Sequence, residues 1–243
     1  DHNKNFQIEH IVIDGNSKDE TKEFLISQKS PNFIYLSEKD NGIYDAMNKG
    51  VKIARFDYVV FINAGDIVDL KNLDFSLMQL LKNGLSQDKL AGFAFSVIYK
   101  LGIRTRKVIS RQVDRFNPKM PGIHQGMLYM RIRLLDMPFD KNYIICGDYE
   151  QFARMFSNGY VFTPIDEFFS ILYAGGISTT KPYKLYLEST YITNKYFKLG
   201  RLYSLKYKIK LIIALISVQI ILCYSNMLSC VHLFFNKNMH QND

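Results

Sequence analysis

The feature that most constrains this chain is an eleven-residue run, Asp40–Gly50 (DNGIYDAMNKG), followed by an apolar segment that closes in Asn63–Asp66 (NAGD). The run has the apolar spacing of a helix, and residues 58–62 have the composition of a buried strand. In open α/β sheets, ligands bind at the carboxyl ends of the strands. The two segments therefore predict an α/β fold with a ligand site near Asp66.

The rest of the first 180 residues repeats this alternation of short strands and helices. The predicted strands are 8–13, 32–36, 58–62 and 90–99, and the predicted helices are 17–28, 45–54 and 75–82. Residues 122–131 and 139–156 form a further unit, and 161–171 is expected to be a strand pair. Alternation of this kind predicts a parallel sheet with helices on both faces.

The charge of the chain is concentrated near its carboxyl end. Of its formal net charge of +8, residues 181–243 contribute nine basic and two acidic residues, whereas residues 1–180 have 22 basic and 21 acidic residues. The basic residues lie beside a strongly apolar stretch, which suits an anionic membrane surface better than a nucleic-acid groove. We therefore predict a membrane surface as a partner and no nucleic acid.

Two domains are predicted, residues 1–180 and a basic, aromatic and apolar helical tail, 181–243. The apolar run 211–235 would be about 37 Å long as one helix, which is enough to cross a bilayer core of about 30 Å. Its scattered polar residues are equally compatible with a hairpin or a helix lying in the membrane surface, so both alternatives stay open. The lysines and arginines before this run place the adjoining domain on the cytoplasmic side.

The three cysteines, Cys146, Cys223 and Cys230, are odd in number and lack Cys-x-x-Cys spacing. Neither a disulfide framework nor a zinc site is indicated, which favours a reducing compartment. The chain has no signal peptide and begins almost at once with a strand. We therefore expect that an earlier strand is missing at the N-terminus.

Two acidic residues end predicted strands. Asp14 follows the first strand and Asp66 follows the strand over 58–62. If both strands share one sheet, their carboxylates converge at one edge, although Asp14 alone is also typical of a turn or a helix cap. A hard divalent cation such as Mg²⁺ or Mn²⁺, held by one or two carboxylates and by substrate phosphates, is the expected use of such an edge.

Three segments in order, Ile11–Thr21, Gly42–Gly50 and Phe61–Asp66, resemble the successive signatures of family 2 glycosyltransferases of the GT-A fold. The resemblance is nearest to bacterial enzymes that assemble surface polysaccharides of the colanic acid, O-antigen or capsule type, and it covers about residues 6–178. It implies a Rossmann-like mixed sheet flanked by helices, here without its first strand. The tail lies outside the resemblance.

The resemblance implies a metal-dependent hexosyltransferase that moves a sugar from a nucleotide-diphospho-sugar donor, with inversion, to a lipid-linked or saccharide acceptor. It assigns the donor nucleotide to Asp14, Tyr44, Asp45 and Asn48, although the last three also suit a helix cap with local contacts. It assigns Mn²⁺ or Mg²⁺ to Asp66 and Asn63. The chain departs from the family pattern because Asn63 and Gly65 stand where many relatives have acids.

The segment Cys146–Glu150 (CGDYE) resembles the part of the family that supplies the catalytic base. Asp148 is the matching residue, and Glu150 is the fallback. By the same resemblance, His124, Gln125 and Arg154 are assigned to the acceptor or phosphate side, with a structural role for His124 equally open. The arginines of residues 104–115 either contact phosphate or form a solvated edge.

We therefore predict a glycosyltransferase at the cytoplasmic face of the bacterial inner membrane. The alternative is a catalytically silent family member that acts as a membrane-bound interaction module. It is considered because Asn63 and Gly65 leave Asp66 as the one carboxylate of residues 63–66. A nucleotidyltransferase is disfavoured, since no glycine-rich phosphate loop is visible in the sequence.

Overall fold

A computed structural model describes residues 7–69, 75–101, 104–113, 119–173, 181–197 and 209 of the chain. The chain divides into two compact units, 1–197 and 198–243, and the strands and helices given below belong to the first. The apolar run 211–235 lies outside the described residues. Within the described residues, no helix combines the length and apolar character that a membrane span requires.

The elements alternate along the chain, and most lie within a few residues of their predicted positions. The strands are β1 His10–Asp14, β2 Phe33–Ser37, β3 Tyr58–Val60, β4 Ile67–Val68, β5 Leu90–Leu101, β6 Arg104–Val108, β7 Met127–Met130 and β8 Val161–Tyr173. The helices are α1 Thr21–Ser27, α2 Ile43–Ile53, α3 Phe75–Leu85, α4 Arg131–Asp136, α5 Gly147–Ser157 and α6 Pro182–Phe197. A single turn of 3₁₀ helix, His124–Gly126, precedes β7.

The strands form a mixed sheet flanked by helices, as the resemblance implied. Strands β3, β7, β5, β8 and β4 lie side by side in that order, and β6 pairs with β5. Strand β8 runs parallel to β5, whereas the other pairs of this sheet are antiparallel. Strands β1 and β2 form a separate two-stranded parallel sheet. Asp14 and Asp66 therefore do not follow strands of one sheet, and the predicted convergence at one sheet edge is wrong.

The prediction that the strand over 58–62 lies among parallel strands is wrong. Strand β3 spans only Tyr58–Val60 and pairs antiparallel with β7. Its apolar sequence has another cause, which is that its two faces meet different cores: Val59 packs with one cluster and Tyr58 and Val60 with the other. A strand covered on both faces is apolar whatever the direction of its neighbour.

The predicted strand pair over 161–171 is also wrong, because β8 is one continuous strand of 13 residues. Its polar residues Asp166 and Glu167 lie in a register irregularity, where Phe95 pairs with Ile165 and the next residue of β5 pairs with Phe168. A bulge takes up extra residues without ending the strand. Two exposed acids in the middle of an apolar segment therefore mark a bulge here and not a turn.

Two apolar cores cover the two faces of the mixed sheet. Alternate residues of β7 divide between them: Met127 and Tyr129 pack with residues of α2, α5 and α6, whereas Leu128 and Met130 pack with Leu77 of α3. This division follows the two-residue period of a strand.

Helix α6, which the sequence places in the tail, packs against α5. Phe197 contacts Phe156 with ring centroids 6.0 Å apart, and Tyr149 Oη lies 3.0 Å from Thr193 Oγ1. Residues 182–197 therefore belong to the same compact unit as the sheet. This placement brings side chains of α6 close to the start of α5.

Candidate active site

Asp14 lies at the carboxyl end of β1 and is almost fully buried. Its carboxylate accepts hydrogen bonds from Ser17 Oγ at 2.5 Å and Ser37 Oγ at 2.6 Å, and from the Ser17 backbone N–H at 3.2 Å. The Ser17 hydroxyl, followed by that of Ser37, holds the pKa of Asp14 below its ordinary value. Asp14 thus stays ionised and ties the ends of β1 and β2 together.

The opening run of the sequence begins beside this turn. A Cβ atom on Gly15 would lie 2.7 Å from Asp40 Oδ2, so the two residues are in close approach. The Asp40 carboxylate accepts from the Gly42 N–H at 2.9 Å, and Gly42 precedes α2 with φ of 102°, a conformation that favours glycine. The first and second signature segments therefore meet at one edge of the domain.

Tyr44, in the first turn of α2, reaches the start of α5. Its hydroxyl donates to the Ile145 carbonyl at 2.6 Å and lies 3.4 Å from Asp148 Oδ1. A Cβ atom on Gly147 would lie 2.6 Å from the Tyr44 ring, so only glycine allows this approach. The predicted donor residue Tyr44 and the predicted base Asp148 are thus in contact.

The charge of Asp148 acts on several buried groups around it. Burial, and next the charge of Asp148, raises the pKa of the Cys146 thiol to about 12, and the same two causes raise the pKa of Tyr44. Burial lowers the pKa of His124, and Asp148 offsets part of that shift. Burial thus keeps the protons on the Cys146 thiol and the Tyr44 hydroxyl and disfavours a protonated His124, so Asp148 supplies the carboxylate of this cluster.

His124 is buried between aromatic rings close to Asp148. Its imidazole stacks on Phe61 with centroids 5.2 Å apart, and Nδ1 lies 3.1 Å from Tyr129 Oη. Nε2 is buried and has no hydrogen-bond partner among the residues that the structure describes. A buried polar atom without a partner is costly, and one in a cleft is suited to binding a ligand group.

Gln125 connects this cluster to Asp66. Its side-chain Nε2 donates to Asp66 Oδ2 at 3.3 Å, and the Tyr173 backbone N–H donates to Asp66 Oδ1 at 3.0 Å. Asp66 is half-buried at the turn after β3, and its N–H donates to the Asn63 carbonyl at 3.1 Å. The predicted base lies at the other end of a chain of rings: Phe139 packs edge-on against His124 and stacks on Tyr44, which contacts Asp148.

Comparison with known proteins identifies the family. The sequence profile described as "Glycosyl transferase family 2" matches residues 2–135, which is more than half of the chain. The chain belongs to glycosyl transferase family 2. The matched region holds the three signature segments and His124–Gln125, whereas Asp148 and α6 lie beyond it.

Relatives of this family 2 chain include proteins from bacteria and archaea. An uncharacterized glycosyltransferase of Mycobacterium tuberculosis is 48% identical over 61 residues, which is 25% of this chain and 23% of that protein. Another, from Methanocaldococcus jannaschii, is 24% identical over 200 residues, covering 76% of this chain and 69% of that protein. The chain thus spans under a quarter of the length of the mycobacterial relative.

The fold matches that of a solved structure. S. aureus TarS residues 1–349 in complex with UDP superposes with a TM-score of 0.55 at 15% identity, covering 78% of this chain and 57% of that chain. The same protein in complex with UDP-GlcNAc superposes with a TM-score of 0.54 at 14% identity, covering 76% of this chain and 56% of that chain. At such low identity the likeness concerns the fold, and it confirms the predicted GT-A architecture.

The donor set for a cation in this family 2 domain is small. Within the described residues, no three His, Cys, Asp or Glu side chains come together. Asp66 nevertheless offers a half-buried carboxylate, and exposed Asn63 adds an amide oxygen on the same turn. Mg²⁺ characteristically binds through one or two carboxylates, substrate phosphates and water, so these residues fit a minimal site of that kind.

Two predicted donor residues, Asn48 and Asp45, have structural contacts. Asn48 holds the loop after α4, since its Nδ2 donates to the Phe139 carbonyl at 2.8 Å and its Oδ1 accepts from the Phe139 N–H at 2.9 Å. Asp45 accepts from the Asn41 N–H at 3.0 Å and forms an ion pair with Lys141 at 3.2 Å. The contact of Asp45 with Asn41 agrees with the capping alternative, whereas both contacts of Asn48 are made to a loop 91 residues away and are not local.

Arg154 pairs with Glu150 and does not stand apart as a free cation. Its Nε lies 3.0 Å from Glu150 Oε1, and its Nη2 donates to the Pro138 carbonyl at 2.6 Å. Glu150 is buried, and it also accepts from the Tyr196 hydroxyl. A carboxylate held in this way is not available as a base, which removes the fallback to Asp148.

Sequence reasoning missed three residues of this region: Ser37, Tyr129 and Glu188. Ser37 and Tyr129 occupy ordinary strand positions and give no signal. Glu188 does give one, because it is the one acidic residue between 181 and 242. A single carboxylate in a basic and aromatic segment is not part of an acidic surface, which indicates that it has a specific binding partner.

Proposed function

We propose that this family 2 member is an inverting glycosyltransferase that moves a sugar from a nucleotide-diphospho-sugar to a lipid-linked or saccharide acceptor in surface polysaccharide biosynthesis. The observation that carries the proposal is a chain of contacts between Asp148 and Asp66. Asp148 contacts Tyr44, the Tyr44 ring stacks on Phe139, Phe139 packs against His124, and the next residue, Gln125, donates to Asp66. A general base, together with a carboxylate that can hold a cation for the diphosphate, is what displacement at a sugar carbon needs. TarS, which has the same fold, is known in complex with UDP and UDP-GlcNAc, which supports this donor class.

In the proposed reaction, Asp148 takes the proton of an acceptor hydroxyl. The oxygen attacks the anomeric carbon from the face opposite the diphosphate, a new glycosidic bond forms, and the bond from that carbon to the diphosphate oxygen breaks with its electron pair on the leaving group. The buried Nε2 of His124 would hold the acceptor or sugar by a hydrogen bond. Because burial keeps His124 neutral, it orients a hydroxyl without competing for the proton.

A divalent cation, Mn²⁺ or Mg²⁺, would be held by Asp66 with Asn63 and would neutralise charge on the departing nucleoside diphosphate. Gln125 and the Tyr173 N–H fix the orientation of the Asp66 carboxylate. Asp14, at the edge where the first two signature segments meet, is proposed to face the nucleoside.

The basic tail, with nine lysine and arginine residues in 181–243, is proposed to hold the domain at the cytoplasmic face of the bacterial inner membrane. Attachment of this kind raises the local concentration of a lipid-linked acceptor around the site.

The test uses the full-length protein with Mn²⁺ and a panel of sugar nucleotides. Wild-type protein should release nucleoside diphosphate with at least one donor. Asp148→Asn should reduce the rate of that release by at least about 100-fold, on the order expected for loss of a general base. The variant should still bind the nucleotide. Asp88→Asn, an exposed acid, is the matched control and should keep wild-type activity. NMR of the first-formed product reports whether the anomeric configuration is inverted.

A catalytically silent interaction module is the second candidate function. It is favoured by Asn63 and Gly65, which leave Asp66 as the one carboxylate of the Asn63–Asp66 turn. It predicts no diphosphate release from any donor, with or without an acceptor. Turnover by the wild type that is lost in Asp148→Asn would exclude it.

A further inference from the structure

We propose that Glu188 of α6 is a positioning residue for Asp148. This inference rests on the proposed function, in which Asp148 is the base. Its starting point is the short segment Ile144–Cys146 that leads into α5. Three successive backbone N–H groups of this segment donate to one carboxylate: Ile144 N to Glu188 Oε1 at 3.1 Å, and Ile145 N and Cys146 N to Glu188 Oε2 at 2.9 and 2.8 Å.

Convergence of successive N–H groups on one point creates an anion-binding concavity. Here a side chain of the chain itself fills it, and the donors lie immediately before the N-terminus of α5. Hydrogen bonds to a carboxylate are shorter and stronger than those to a neutral acceptor, so Glu188 holds the segment in one conformation. The Cys146 thiol adds a contact to α6, donating to the Leu185 carbonyl at 3.4 Å.

The same segment is held from its other side by α2. Tyr44 Oη donates to the Ile145 carbonyl at 2.6 Å, and the Tyr44 ring packs where a side chain at Gly147 would otherwise stand. The Ile145 peptide therefore lies between Tyr44 and Glu188. Asp148 follows within three residues, so the position of its carboxylate depends on both contacts.

Glu188 is also part of a wider junction between α5 and α6. Glu150 accepts from the Tyr196 hydroxyl, and Tyr149 Oη lies 3.0 Å from Thr193 Oγ1. These contacts fix the two helices side by side, whereas the Glu188 carboxylate accepts from the peptide N–H groups ahead of Asp148. Its loss should therefore disturb the base without separating the helices.

The decisive variant is Glu188→Gln, which keeps the size of the side chain but replaces one acceptor oxygen by an N–H₂ group. We expect the amide hydrogens of Ile144–Cys146 to exchange at least about tenfold faster in the variant, since a neutral acceptor holds them less tightly. Transfer should show a kcat lower by about tenfold to a hundredfold, as small misplacements of a catalytic group produce. The Kd for the nucleoside diphosphate should stay within about twofold of the wild-type value, because the substitution changes the placement of the base and not the binding of the nucleotide.

Three further variants make the result specific. Glu167→Gln, the same change at an exposed acid of β8, should match the wild type in exchange and in kcat. Glu188→Asp keeps the charge and should restore part of the protection and part of the kcat. In an Asp148→Asn background, Glu188→Gln should lower the residual rate no further, because a positioning residue acts through the group that it positions.

Unchanged exchange at residues 144–146 in Glu188→Gln would overturn the proposal, and so would a normal kcat combined with faster exchange. A raised KM with an unchanged kcat would assign Glu188 to substrate binding instead. If the wild type transfers no sugar from any donor, the proposed function fails, while the exchange measurement still decides whether Glu188 holds the segment.

Discussion

The hydroxyl of Tyr44 lies 3.4 Å from the carboxylate of Asp148, across more than a hundred residues of sequence, and at the same time donates to the Ile145 carbonyl at 2.6 Å. A residue of the second signature segment thus holds the segment that leads into α5, the helix that carries the proposed base. Through this contact the run Asp40–Gly50 reaches the proposed base. The sequence of the run does not predict the contact.

Tyr44→Phe should therefore weaken both stability and transfer. The variant leaves the buried Ile145 carbonyl without its donor, which costs about 1–2 kcal/mol of the free energy of unfolding. The kcat should fall about tenfold because Asp148 is less well placed, whereas the nucleotide Kd should change little. Denaturant unfolding and steady-state kinetics measure the two effects. Tyr35→Phe, at a partly exposed position of β2, serves as the control, and a wild-type kcat in Tyr44→Phe would contradict the prediction.

Gly147→Ala and Gly50→Ala should change stability in opposite directions. A methyl group at 147 would lie 2.6 Å from the Tyr44 ring, and overpacking of this kind costs about 1–3 kcal/mol. At position 50, inside α2, the new Cβ would meet only Ile13 Cγ1 at 3.5 Å, an ordinary contact, so the better helix propensity of alanine should add about 0.5–1 kcal/mol. Urea unfolding gives the free energy of unfolding of both variants. Equal changes in that free energy would show that a methyl group at position 147 fits beside the Tyr44 ring.

Asp14→Asn should change how stability depends on pH. The serine hydrogen bonds lower the folded-state pKa of Asp14 below its unfolded value of about 3.9, so their stabilisation is complete above that value and is lost as the pH falls through the folded-state pKa. Wild-type protein should therefore lose more stability than Asp14→Asn between about pH 6 and about pH 3. Near neutral pH the variant should be less stable by about 1–3 kcal/mol. Parallel loss in both proteins would contradict the assigned role, with Asp88→Asn as the control.

Asp66→Asn should raise the Mn²⁺ concentration that sugar transfer requires, without unfolding the domain. An amide oxygen can still accept from the Tyr173 N–H, so the turn after β3 should remain. A neutral oxygen binds Mn²⁺ more weakly than a carboxylate, and the Mn²⁺ concentration for half-maximal rate should rise by at least about tenfold. Titration of the rate with Mn²⁺ measures this shift. Asp57→Asn, an exposed acid just before β3, should leave the titration unchanged, and an unchanged titration in Asp66→Asn would remove Asp66 from the metal site.

Local chemistry explains why some of the fold was predictable. The strand before Asp14 and the helix over the Asp40–Gly50 run appear where apolar periodicity and glycine placed them, because those signals act over a few residues. The direction of the strand at Tyr58–Val60 was not predictable in this way, since both faces are covered and its sequence carries no mark of its neighbour. The bulge at Asp166–Glu167 likewise depends on the register of another strand.

The sequence by itself determined the alternation of elements, Asp14 at the end of β1 and the three signature segments that place the chain in its family. Only the tertiary structure decided which groups the acids of the site meet: Asp148 meets Tyr44, Asp66 meets Gln125, and Glu188 meets the segment before α5. The physical reason is one of range. Periodicity and turn chemistry are set by neighbours along the chain, whereas a hydrogen bond near 3 Å between distant residues depends on how whole elements pack.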